Sequence, residues 1–187
     1  MNDVTIIPIH GKEPQIHPTA FIAPGTRLIG DVRIGEGASI WYNCVLRADV
    51  NYIEVGARAN IQDGTVVHCD ADHGEARPGW PTIIGEDVLI GHMAMVHGVK
   101  LHDKSFVGLG AIVMDGCEIE SGGMIAAGGM LTPGKVIKAG EMWGGRPAKK
   151  MRDLTEADFD WATGRLLDVA DRHAGDGLSR ALASPGR

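Results

Sequence analysis

Three histidines, His68, His92 and His97, lie close together in a chain whose other histidines are scattered. Neutral imidazole is a common ligand for divalent metals. Three imidazoles around one open coordination position make a catalytic rather than a structural zinc site. Upstream of them lie a guanidinium, Arg47, a carboxamide, Gln62, and a carboxylate, Asp63, at spacings that bear on where the histidines sit. His10, His17, His73, His102 and His173 have no comparable company. A lone outward-facing histidine is ordinarily just surface, so the question is whether the fold brings the three together.

The fold is written in a six-residue period. Aliphatic residues recur at Ile22, Leu28, Ile34, Ile40 and Leu46, then at Val55, Ile61 and Val67, then at Ile84, Ile90 and Val96. The series ends with Leu101, Val107, Val113, Ile119, Ile125, Leu131 and Ile137. Such a period predicts a parallel β-helix in which three hexapeptides make one triangular coil. The aliphatic residue points inward and stacks on its counterpart one coil later, with strands roughly 4.8 Å apart. The small residues after it, as in Ile34-Gly35 and Ile90-Gly91, are expected to let the corner bend.

Two steps break the period. Leu46 to Val55 is nine residues, which places a three-residue bulge at Asp49 to Asn51. Val67 to Ile84 is seventeen, read as one hexapeptide plus an exposed loop between Cys69 and Pro81. With those corrections Leu46, Val67 and Val96 stack on one face, so Arg47, His68 and His97 form an outward column. Gln62 and Asp63 lie beneath Gly91 and His92 on a neighbouring face. His92 is then poorly placed to join His68 and His97 within one chain. A second copy could bring it there through a heterologous contact, which closes naturally as a trimer. On periodicity alone, a metal site and an ordinary polar interface both stay open.

The motifs add more. Trp41 through Asp49, Asn60-Ile61-Gln62-Asp63-Gly64, Val67-His68, Ile90-Gly91-His92 and Val96-His97-Gly98 resemble the gamma-class carbonic anhydrase family. So do Gly108-Leu109-Gly110-Ala111, Ile125-Ala126-Ala127-Gly128 and Gly144-Gly145-Arg146-Pro147-Ala148-Lys149, and the likeness runs over residues 8 to 170. The resemblance implies a left-handed β-helix, a homotrimer and a zinc ion at each subunit interface. The ligands it implies are His68 and His97 from one subunit and His92 from the next. It makes Gln62 and Asp49 candidates to hold the metal-bound water, and Arg47 and Asp63 candidates for an interface ion pair. The activity it implies is reversible hydration of CO2 to bicarbonate. The family's acidic loop is not reproduced, and His73 or Glu75, titratable groups in the loop of this chain, is the candidate proton relay. Iron or cobalt also suits three histidines. Val50 stands where the best-known members carry a glutamate.

Composition fits one all-β unit. The chain has 187 residues, 27 of them Gly, and is only 5% aromatic, as a narrow aliphatic prism requires. A net charge of -6 argues against nucleic acid as a partner. No apolar run reaches the roughly 20 residues of a membrane span. No signal peptide is evident, and the odd count of cysteines, Cys44, Cys69 and Cys117, reads as reduced and cytoplasmic. The organisation expected is residues 1–150 as β-helix with the metal site, 151–173 as a C-terminal helix, and 174–187 as a flexible tail. Thr155-Glu156-Ala157-Asp158 reads as the capping box opening that helix. Two other functions fit the same fold: a hexapeptide acyltransferase using acyl-CoA, and a non-catalytic metal-stabilised scaffold.

Overall fold

A computed structural model describes residues 3–158. The chain winds as a parallel β-solenoid with three faces. The first face stacks Thr5–Ile7, the first half of Arg27–Ile34, the first half of Val45–Val55, Val66–His68, Met95–His97, Ile112–Val113 and Met130–Leu131. The second stacks Gln15–Ile16, the remaining halves of the two long strands, Thr82–Ile84, Lys100–Leu101, Glu118–Ile119 and Val136–Ile137. The third runs from Phe21–Ile22 through Ser39–Ile40, Asn60–Ile61, Leu89–Ile90, Phe106–Val107 and Met124–Ile125 to Glu141–Gly144. Lys149–Asp153 then folds back antiparallel on Glu141–Gly144 and ends the stack.

Every aliphatic residue of the six-residue series is inside, none more than 5% exposed. Burial of each such side chain contributes about 1.5–3 kcal/mol. The stacking is the one the period predicts: Leu46 on Val67 on Val96, Ile61 on Ile90, and Val55 on Ile84. One coil runs a residue short, since Val96 and Leu101 are five apart, yet Leu101 still lies over Ile84.

The corners bend at glycine and turn-forming residues, as expected, but at a particular offset. The glycines after the inward residues do not carry the left-handed turn. That turn falls three residues after the inward position, most often at a glycine, as at Gly25, Gly64 and Gly116, and also at Asn43, Arg58, Asp87, Met93 and Lys104, whose φ lies between 56 and 60°. Such a conformation costs a non-glycine residue about 1–2 kcal/mol. The glycine just after the inward residue serves close approach instead. A methyl group on Gly56 would lie 2.5 Å from the carbonyl carbon of Gly85 in the next coil. That overlap corresponds to about 1–3 kcal/mol.

Both interruptions appear where the spacing puts them. Between Ala48 and Tyr52 the strand Val45–Val55 loses its pairing with Arg27–Ile34, so Asp49, Val50 and Asn51 bulge. Residues 69–81 form a loop without strands, with His73 and Glu75 exposed in it. A turn closed by the His73 N–H on the Arg77 carbonyl, 2.9 Å, makes its tip. The three cysteines are free and buried. Cys44 and Cys117 donate to the carbonyls of Gln62 and Thr132, each at 3.1 Å, and so tie neighbouring corners together.

At the end of the described chain Thr155 donates its N–H and its hydroxyl to Asp158, both at 2.8 Å, and residues 156–158 begin a helical turn. The expected course of that helix to residue 173, and the tail, lie outside the described residues. No described helix is long and apolar enough to cross a membrane.

Candidate metal centre

Parallel pairing puts Arg47, His68 and His97 directly above one another on the first face. The two imidazole rings sit 4.9 Å apart, centre to centre. His68 Nδ1 is 2.9 Å from His97 Nε2. The outer nitrogens each meet a carboxylate: His68 Nε2 is 2.9 Å from Asp49 Oδ1, and His97 Nδ1 is 2.5 Å from Asp115 Oδ1. Arg47 donates to the other oxygen of Asp49 at 2.5 Å. A single chain of contacts therefore runs Arg47–Asp49–His68–His97–Asp115. Buried Thr82 braces it from behind, donating to the His68 carbonyl and accepting the Gly98 N–H at 3.0 Å.

Proton accounting shows what this chain can bind. An ionised carboxylate only accepts hydrogen bonds. His68 must then carry its proton on Nε2, and His97 on Nδ1. That leaves two lone pairs, on His68 Nδ1 and His97 Nε2, facing each other at 2.9 Å. One proton or one metal ion between them resolves the conflict. Burial pushes the His68 pKa below its ordinary value and outweighs the opposing hydrogen bond from Asp49. For Asp49 burial works the other way, but the hydrogen bonds from His68 and Arg47 prevail and hold it below the usual carboxylate range. A neutral imidazole beside an ionised carboxylate is what a metal ligand needs.

The remaining site residues lie on the third face. Asn60–Ile61 pairs with Leu89–Ile90, and the turns that follow carry Gln62, Asp63 and His92. His92 Nδ1 is 2.9 Å from Asp63 Oδ2, with both side chains more than a third exposed. Within one chain Arg47 and Asp63 thus pair with other groups, Asp49 and His92. No three His, Cys, Asp or Glu side chains of the described residues surround a common point suited to a metal. Met93, Met95 and Leu109 flank the histidines with exposed apolar surface, 71%, 49% and 49% accessible. His102 pairs with Glu118 at 3.2 Å and His17 with Thr19 at 2.8 Å, both apart from this chain of contacts. Cys69, adjacent to His68, is buried with its thiol pushed up to about 11, chiefly by desolvation, which suits packing rather than ligation.

Two participants escape the sequence reading. Asp115 lies one coil on from His97, because Val113 stacks on Val96, but it sits one residue past the column position, which Met114 occupies. The period therefore points to Met114, and the only signal for Asp115 is a carboxylate next to that position. Thr82 gives no such signal, since it follows the aperiodic loop.

Residues 13–48 match the family model described as bacterial transferase hexapeptide (six repeats). A solved hexapeptide transferase family protein from Anaplasma phagocytophilum is 44% identical, with a TM-score of 0.82 over 94% of this chain and 99% of that one. The carbonic anhydrase of Geobacillus kaustophilus is 44% identical over 82% of this chain and 81% of that protein. This chain belongs to the gamma carbonic anhydrase family. Gamma carbonic anhydrase 2, mitochondrial, of Arabidopsis thaliana is 42% identical over 92% of the chain. The chain spans 63% of the length of that plant member. Family membership agrees with the resemblance in the histidine and Asn-Ile-Gln-Asp motifs.

Proposed function

We propose that this chain is a zinc-dependent carbonic anhydrase, hydrating CO2 reversibly to bicarbonate at the subunit interfaces of a homotrimer. The observation that carries the proposal is the in-register His68–His97 pair, whose inner nitrogens face each other while carboxylates engage the outer ones. His92 of a neighbouring copy supplies the third imidazole. The exposed Met93, Met95 and Leu109 beside the histidines are the apolar surface such a contact would cover.

Zinc held by three imidazoles lowers the pKa of a water ligand to about 7 and so supplies hydroxide at neutral pH. The residues of the chain do the rest. Asp49 orients His68, and Arg47 holds Asp49 in the bulge. The Gln62 carboxamide carries no charge and orients substrate by hydrogen bonding. On assembly the planar fork of Arg47 faces Asp63 of the adjoining copy, a geometry suited to bidentate pairing. His73 or Glu75, on the exposed loop, passes the proton to solvent. Cobalt or iron could occupy the same donors.

Native mass spectrometry of the zinc-loaded protein should give three chains and three metal ions. A monomer carrying metal would contradict the shared site. Gln62→Ala separates positioning from assembly. Trimer mass and zinc content should stay at wild-type values while CO2 hydration falls about 10-fold or more, the scale of a lost positioning hydrogen bond. Unchanged hydration in that variant would remove Gln62 from the site.

A further inference from the structure

Asp115 is the one carboxylate on the histidine chain that neither the motifs nor the period singles out, and its surroundings are arranged around it. Its backbone is fixed on both sides: the Gly116 N–H donates to the Gly98 carbonyl at 2.8 Å, and the Gly134 N–H donates to the Asp115 carbonyl at 2.9 Å. Its Oδ1 lies 2.5 Å from His97 Nδ1. The residue after His97 is Gly98, with φ of 58°. A methyl group on Gly98 would collide with Asp115 Oδ1 itself. The coil below leaves room for this carboxylate, and the carboxylate reaches the outer nitrogen of the imidazole in that room. The ion-pair geometry is with His97, and both side chains are little more than a third exposed.

We propose that Asp115 is a positioning residue for the metal: it holds His97 in the Nδ1–H form and fixes the ring so that the Nε2 lone pair points at the ion. This rests on the zinc site proposed above. The physical reason is that imidazole has two tautomers, and only one leaves Nε2 free to ligate. Without Asp115 the Nδ1 proton is bonded to no carboxylate and ring orientation is lost. Outer carboxylates of this kind typically contribute 10–100-fold to metal affinity.

The test is zinc affinity, measured by competition with a chelator on the full-length protein, for wild type, Asp115→Ala and His97→Ala. Oligomer mass and thermal unfolding of the metal-free forms are measured in parallel. The expected result is an Asp115→Ala affinity about 10–100-fold weaker, with metal-free mass and unfolding temperature unchanged and zinc lost altogether in His97→Ala. An Asp115→Ala affinity within about threefold of wild type, with His97→Ala still losing zinc, overturns the role of Asp115 and leaves the metal site standing. A weaker affinity matched by an equally weakened metal-free fold overturns it too, since the effect is then structural. Zinc binding unaffected by His97→Ala overturns the site and this inference together. Should Asp115→Ala fail to assemble, Asp115→Asn replaces it. That side chain keeps the volume and loses the charge, a loss of about threefold or more is expected, and wild-type affinity again overturns the proposal.

Discussion

His97→Ala should empty the metal site and abolish CO2 hydration while leaving the solenoid folded. The side chain points outward, and the inward neighbour that builds the core is Val96, fully buried on Val67. Nothing in the aliphatic stack depends on the imidazole. The site does, because His97 Nε2 is one of the two lone pairs that meet within one chain. Loss of an outer carboxylate already lowers metal affinity 10–100-fold, so loss of a ligand should lower it by more than about 100-fold. Zinc content after dialysis should fall near zero and hydration with it, while the circular dichroism of the strands stays as in wild type. Wild-type zinc content in this variant would mean that the ion is held elsewhere.

The second large effect is recovery rather than loss. His92→Ala chains keep the His68–His97 pair, and His97→Ala chains keep His92. Each alone should be poor in zinc. Unfolded together and refolded, they should regain it. At each interface of a mixed trimer one chain offers the pair and the next offers His92. Random assortment of equal amounts makes both intact at about a quarter of the interfaces, because the contact is heterologous. Zinc content should therefore rise to about a quarter of wild type, and hydration should rise in proportion. No recovery, in mixtures that still assemble, would show that His92 and the pair do not serve one ion.

What could be read from the sequence follows from what the period controls. A six-residue repeat fixes which residues share a rung, so the stacking of Arg47, His68 and His97 and the placing of Asp63 beneath His92 were legible once the bulge and the loop were subtracted. The bulge at Asp49 to Asn51 was legible as three surplus residues, but not its consequence. An aperiodic segment has no preset direction, and it turns the Asp49 carboxylate onto His68 of its own chain. Asp115 was missed because it sits two residues after its inward neighbour whereas His97 sits one after. Contact between those offsets depends on side-chain torsions and on the space over Gly98, and the period does not specify either. That glycine and turn-forming residues bend the corners was legible, but not which glycine does so. The glycine directly after the inward residue follows steric room between coils, whereas the left-handed turn falls two residues later, where other glycines share the offset with Met93 and Lys104. Glycine therefore marks two things: close approach just after the inward residue, as at Gly56, and the bend two residues later, as at Gly64 and Gly116.

The central claim is catalytic, and the pre-steady-state rate of CO2 hydration tests it most directly. Zinc-loaded wild type, with metal content confirmed at one ion per chain, is mixed with CO2 in a stopped-flow spectrophotometer against a pH indicator. The same preparation is offered acetyl-CoA with amine and hydroxyl acceptors. The account predicts hydration well above the buffer rate, abolished by chelation and restored by zinc, with no acyl transfer. Full zinc with hydration at the buffer rate would contradict it, and acyl transfer from acetyl-CoA in that case would assign the chain to the transferases that share its hexapeptide repeat.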